Sequence, residues 1–152
     1  MLPDELDVLL VEDDPLEVEL ILRALRASTP AERVGVARDG EEALDYLLAR
    51  GAYRQRLGAA PPRLVLLELR LPRLDGIEVV RALRANPRTA IVPIVGLSSS
   101  VEPREVSQCY QAGANGCVEK PVEFRELCEA LDTVGRYWLR LNRSPAGGLA
   151  GH

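Results

Sequence analysis

The sequence predicts an α/β domain in which five parallel strands form one doubly wound sheet with five helices on its two faces. Two observations carry this. Short aliphatic runs such as Val8-Leu9-Leu10-Val11 and Leu64-Val65-Leu66-Leu67 are of the kind a parallel sheet buries on both faces. They alternate five times with segments of helical periodicity, which is the pattern of successive right-handed βαβ units. At 152 residues the chain is the size of one domain, and 47% hydrophobic with 28% charged residues gives it a core and a solvated surface.

Each element can be read in order. After the first strand, Val8–Val11, Asp14 caps a helix opened by Pro15, and Leu16, Val18, Leu20, Ile21, Leu22 and Leu25 give it a broad apolar face to about Ala27. Val34 to Ala37 reads as the second strand. Asp39 then caps a helix carrying Ala43, Leu44, Leu47 and Leu48. Residues 51–63, with Pro61-Pro62, read as a loop or irregular extension. The third strand, Leu64 to Leu67, runs directly into Glu68, and a third helix begins at Asp75-Gly76 and stops near Asn86-Pro87. Ile94 to Leu97 is the fourth strand, and Val101 to Ala112 the fourth helix, stopped by Gly113. Gly116 to Val118 is a short fifth strand, and Pro121 through Leu141 one long helix. Residues 1–142 are expected to form the domain and 143–152 a flexible C-terminal tail.

Composition removes several functional classes. No segment approaches the roughly 18 apolar residues of a membrane span. The opening MLPDELD is acidic where a signal peptide is basic, so the expectation is a cytoplasmic protein without a membrane partner. Cys109, Cys117 and Cys128 suit free thiols in a reducing compartment better than a disulfide framework. A net charge of −4 argues against nucleic acid as a partner. The one histidine is His152, so histidine-based catalysis has no residue within the domain. Among the cations there are 18 arginines and a single lysine, Lys120.

In an open α/β sheet the site lies at the carboxyl ends of the strands, where strand order reverses. That rule selects Glu12-Asp13-Asp14, Glu68, Ser98 and Glu119-Lys120-Pro121. Carboxylates gathered there repel one another unless a cation relieves them, and hard oxygens without His or Cys favour Mg²⁺. Lys120 and Ser98 are the pair to set around a phosphoryl group or a carboxylate. A nucleotide or flavin phosphate is disfavoured, because the first loop is acidic and lacks the glycines of a phosphate cradle.

Five motifs, in order and at the expected spacing, resemble the response regulator receiver family: VLLVEDDP at 8–15, ARDGEEAL at 37–44, LVLLELRLPRLDG at 64–76, VPIVGLSSS at 92–100 and GANGCVEKP at 113–121. The extended loop before the third strand and YWLRLN at 137–142 are most similar to single-domain receivers that partner phytochrome-type histidine kinases. The resemblance implies a flavodoxin-like receiver fold without enzymatic output. It also implies that a sensor histidine kinase or a downstream protein is the partner. Carried over by position, Glu12 and Asp13 are the metal-holding acidic pair, Ser98 and Lys120 grip phosphoryl oxygens, and Glu68 stands at the phosphoacceptor position.

Two residues depart from that pattern. The acceptor position holds glutamate instead of aspartate, one methylene longer. In-line phosphoryl transfer depends on positioning, so a displacement of roughly 1 Å costs on the order of 100-fold in rate. The expectation is a phosphorylation-impaired or phosphomimetic receiver, with Mg²⁺ held weakly because Glu68 can reach Lys120. The alternative is a conventional receiver that accepts a phosphoryl group from its kinase. A Mg²⁺-dependent hydrolase on the same sheet would need a second acid shortly after Glu68, where Leu69 and Arg70 stand. At the switch position, three residues before the lysine, Cys117 replaces the usual aromatic and has no ring to swing. The last helix carries more apolar surface than one helix needs. Phe124, Leu127, Tyr137 and Trp138 are therefore expected to form a homodimer face, against the alternative that the aromatic pair covers the bottom of the core.

Overall fold

All four residues of β1 (Val8–Val11) are buried, as are all five of β3 (Leu64–Glu68) and all five of β4 (Ile94–Ser98). The computed structural model describes residues 1–100 and 102–145, so the expected tail lies outside the described residues from 146 onward. β2 (Val34–Ala37) and β5 (Gly116–Glu119) complete one parallel sheet in the order β2-β1-β3-β4-β5. The helices are α1 (Pro15–Leu25), α2 (Gly40–Leu47), α3 (Gly76–Arg84), α4 (Pro103–Ala112) and α5 (Phe124–Arg136).

Successive strand residues point to opposite faces, and the core divides accordingly. Leu9, Val11, Val65 and Leu67 pack with α2, α3 and α4, while Val8, Leu10, Leu64 and Leu66 pack with α1 and α5. The chain leaves β1 toward one face and β3 toward the other, so a crevice opens between their carboxyl ends. Aspartates cap the helices that start at this edge: Asp14 accepts from Leu16 N, Asp39 from Glu42 N and Asp75 from Glu78 N. Gly113 closes α4 at φ 115°, a left-handed conformation that costs glycine nothing.

Four expectations are corrected. Leu16, expected on the apolar face of α1, is 64% exposed, because at about 100° per residue it lies on the opposite side of the helix from the buried Val18, Ile21 and Leu25. The long last helix begins at Phe124, since Pro121 holds the preceding chain extended and Glu123 caps the start. It ends in a π-helical turn, Tyr137–Leu141, where the Arg63 guanidinium takes the carbonyl of Leu139. Leu127, expected on a dimer face, is only 4% exposed, because it points inward with Leu131 onto β1, β3 and β4.

The segment read as an irregular extension joins the core on the α2 side, where its Tyr53 is buried. Arg56, in the 3₁₀ stretch Gly51–Arg56, is fully buried; its Nε donates to Asp4 O at 2.8 Å and its guanidinium lies 3.7 Å over the Tyr46 ring. Tyr46 OH donates to Pro3 O and Tyr53 OH to Glu42, so the N-terminal segment is stitched to α2 and this loop.

Gly76 decides how closely α3 approaches the end of β3. A Cβ there would sit 2.5 Å from Glu68 O and 2.7 Å from Leu69 Cα, both backbone atoms that cannot swing aside. At Gly116 the nearest atom would be Val95 Cγ2 at 3.8 Å, an ordinary contact. Urea denaturation is therefore expected to show Gly76→Ala destabilised by about 2 kcal/mol or more, and Gly116→Ala changed by less than about 1 kcal/mol.

Candidate functional site

The carboxyl edge of the sheet gathers four of the residues selected from sequence. Glu12 follows β1 and its backbone N–H donates to Ala37 O; Glu68 ends β3 and Ser98 ends β4. Lys120 follows β5, fixed by its backbone N–H to Ser98 O at 2.7 Å. Cys117 lies within β5, half-buried against the α3 and α4 side of the core.

Charge organises this edge. Lys120 Nζ lies 2.7 Å from Glu68 Oε2 and 3.2 Å from Glu12 Oε1, and all three side chains are buried. The remaining oxygens face backbone donors: Glu12 Oε2 accepts from Asp13 N and Asp14 N, and Glu68 Oε1 from Arg70 N. A third carboxylate joins them, Glu17 of α1, with Oε2 3.5 Å from the same ammonium. Sequence reasoning missed Glu17 because an acid in a first helical turn is adequately explained by the helix dipole. The signal available was its place directly after the loop carrying Glu12 and Asp13.

Burial pushes the Glu12 carboxyl up to about 7; Lys120 opposes this and repulsion from Glu68 adds to it. Burial acts to lower the Lys120 ammonium, but Glu68 and Glu12 outweigh it and hold the group above its ordinary value.

Other expected site residues stand differently. Asp13 is exposed, and its side chain does not join Glu12 and Glu68. Ser98 Oγ is buried and donates to Ser100 O at 3.1 Å, within its own loop. Arg70 ties that loop to the end of β3 by reaching both Ser100 O and Glu105 of α4. Cys109 lies beneath Cys117, and burial raises both thiols, Cys109 to about 12, so neither is a ready nucleophile at neutral pH. Phe124 and Tyr137 are 42% and 48% exposed, whereas Trp138 is half-buried against the α1 and α5 side of the core.

This arrangement does not make a metal shell. Lys120 Nζ donates to Glu12 Oε1 and pairs by charge with Glu68, whose buried Oε2 accepts no hydrogen bond, and among the described residues no group of three or more His, Cys, Asp or Glu side chains is arranged to hold an ion. The cleft beside Lys120, between Glu17, Val122 and Phe124, encloses about 170 Å³. No helix among the described residues is long and apolar enough to cross a membrane.

The sequence matches the response regulator receiver domain over residues 8–132. It is 37% identical over 143 residues to the probable methanogenesis regulatory protein FilR2 of Methanothrix harundinacea, covering 93% of this chain and 89% of that one. It is 30% identical to the response regulator Rcp1 of Synechocystis over 91% of this chain and 92% of Rcp1, a protein with a solved Mn²⁺-bound form (TM-score 0.81). The phosphorylated cyanobacterial phytochrome response regulator RcpA aligns with a TM-score of 0.84 at 32% identity, covering 93% of this chain and 99% of that one.

Glu12 gives a pH dependence with a definite sign. A carboxyl that titrates near 7 when folded and near 4.5 when unfolded binds its proton more tightly in the folded state, so its contribution to stability falls as pH rises through that window. Glu12→Gln removes this term. Denaturant titrations are expected to show the variant gaining on the parent between about pH 5 and about pH 8, by roughly 3 kcal/mol at most.

Proposed function

The chain belongs to the response regulator receiver domain family and is related to phytochrome response regulators; from that premise we propose that it is a receiver with glutamate at the phosphoacceptor position. Glu68 impairs phosphoryl transfer, so that the protein signals through contacts with other proteins. The observation that carries this is the ion pair of Glu68 with Lys120 at 2.7 Å. In the family the matching lysine grips the phosphoryl group; here its charge already meets the carboxylate at the acceptor position. The imitation of phosphorylation is partial, since one carboxylate brings a single charge against about −1.5 to −2 for a phosphoryl group.

The upstream partner in this reading is a sensor histidine kinase of the phytochrome type, in keeping with the relatives RcpA and Rcp1. A second reading, a conventional phosphotransfer receiver, draws on Glu12, Asp13, Ser98 and Lys120 all standing at the family's positions. The two separate on one measurement. Incubated with acetyl phosphate and Mg²⁺, the parent is expected to gain no stable phosphoryl group by intact mass, and Glu68→Asp to gain one. Stoichiometric phosphorylation of the parent at Glu68 supports the second reading instead.

Self-association fits a receiver that works through its surface. The exposed rings of Phe124 and Tyr137, with Leu141 beyond them, leave apolar area on the last helical segment that its own sheet does not cover. In sedimentation velocity the parent is expected to run as a dimer and Phe124→Asp to shift toward monomer with its thermal melt retained. Leu127→Asp, which puts a charge into the core, is expected to unfold the chain. A parent that stays a 16.7 kDa monomer at high concentration refutes the dimer.

A further inference from the structure

Cys109 and Cys117 meet over the seam between β4 and β5. Cys109, on α4, packs down onto the sheet above Gly96. A Cβ at Gly96 would stand 3.0 Å from Cys109 Sγ, so the sulfur occupies space that a side chain on β4 would fill. Across the seam, the same sulfur lies 4.0 Å from Gly116 O of β5. Gly96 and Cys117 are register partners, and neighbouring strands run about 4.8 Å apart. Both cysteines belong to the core on the α3 and α4 side, so the Cys117 side chain is turned to the same place. Beyond burial, which raises both thiols, each acts on the other, Cys117 raising Cys109 and Cys109 lowering Cys117. Cys128 stands apart, against the core on the α1 and α5 side. Cys109, Cys117 and Cys128 are free thiols in this structure.

From this juxtaposition we infer that Cys109 and Cys117 form a redox-sensitive dithiol, which a small disulfide of the glutathione class closes into a covalent cross-link between α4 and β5. The chemistry is two successive exchanges. Cys117, the half-buried member, attacks one sulfur of the oxidant as its thiolate; a mixed disulfide forms on Cys117 and one small thiolate leaves. The Cys109 thiolate then attacks Cys117 Sγ, which forms the protein disulfide and expels the second small thiolate. The two protons lost by the cysteines end on the two released thiols, so the protein pair is oxidised and the small disulfide reduced. Burial keeps both steps slow at neutral pH, so brief exposure leaves the dithiol open and sustained oxidation closes it. The bond fixes α4 to β5 at the switch position. α4 also holds Arg70 through Glu105, and Arg70 binds the loop after β4 at Ser100 O, so the cross-link is continuous with the loop beside Ser98. The inference rests on the receiver reading only for naming 117 the switch position, and its test contains no phosphoryl donor.

The experiment incubates the folded full chain with oxidised glutathione at about pH 8, quenches in acid, and blocks remaining thiols with N-ethylmaleimide under denaturing conditions. Trypsin then releases residues 105–125 as one peptide, because Pro121 protects the bond after Lys120. The cross-link is read as that peptide unalkylated and lighter by two hydrogens, while Cys128 reports separately in residues 126–136. The parent is expected to reach that state, and excess reduced glutathione to reopen it. Amide exchange over α4 should slow about tenfold or more in the cross-linked form. Cys109→Ala is expected to stop at a stable glutathione adduct on Cys117, and Cys117→Ser to leave Cys109 unmodified. If Cys109→Ala does not fold, Cys117→Ser, at a half-buried position, supplies the comparison. A folded parent whose 105–125 peptide stays doubly alkylated at equilibrium with oxidised glutathione overturns the inference, as does one that halts at the Cys117 adduct. Either result leaves the acetyl phosphate experiment to decide phosphotransfer on its own.

Discussion

A lysine held at 7% exposure is costly to desolvate, and two carboxylates buried beside it are costlier still; each group is tolerable only because the others are present. The carboxyl edge of the sheet is built around that mutual dependence. The backbone bond from Lys120 to Ser98 sets the ammonium over the end of β4, the strand ends bring Glu12 and Glu68 to it, and α1 adds Glu17. Removing one member leaves a buried charge uncompensated, an outcome more damaging than loss of the interaction itself. The site is for this reason a single unit, and the loops over it inherit its geometry.

Glu68 is confined from behind as well. α3 starts directly against the end of β3, and only the absence of a side chain at Gly76 permits that approach. The Glu68 side chain extends across the crevice toward the lysine, 2.7 Å from its ammonium.

Much of this was legible before any coordinates. The strands were readable because parallel strands buried on both faces leave continuous aliphatic runs, and the three aspartate caps because their chemistry is local. Glu12, Glu68, Ser98 and Lys120 were readable because open sheets place ligating residues at their carboxyl ends. What escaped was set by tertiary position. Leu16 is as apolar as its neighbours but lies on the outer side of α1, and Leu127 has the same composition as an interface residue but points inward. Arg56 looked like one more surface arginine, and nothing local signals that it would be buried over Tyr46 with backbone carbonyls as its partners. Glu17 carried two sufficient explanations, of which sequence offered only one.

The burial of Lys120 has a further consequence, because it is the only lysine in the chain. Every other side-chain cation is a guanidinium, which stays protonated and does not acylate under conditions that modify amines. The folded molecule thus shows almost no side-chain amine to solvent. Acetylation, ubiquitination and amine-directed crosslinking all require a free Nζ, and they can reach this one only when the carboxyl edge of the sheet comes apart. Slow acylation of Lys120 would act as a chemical clock for that opening, read from one residue without competition from any other lysine.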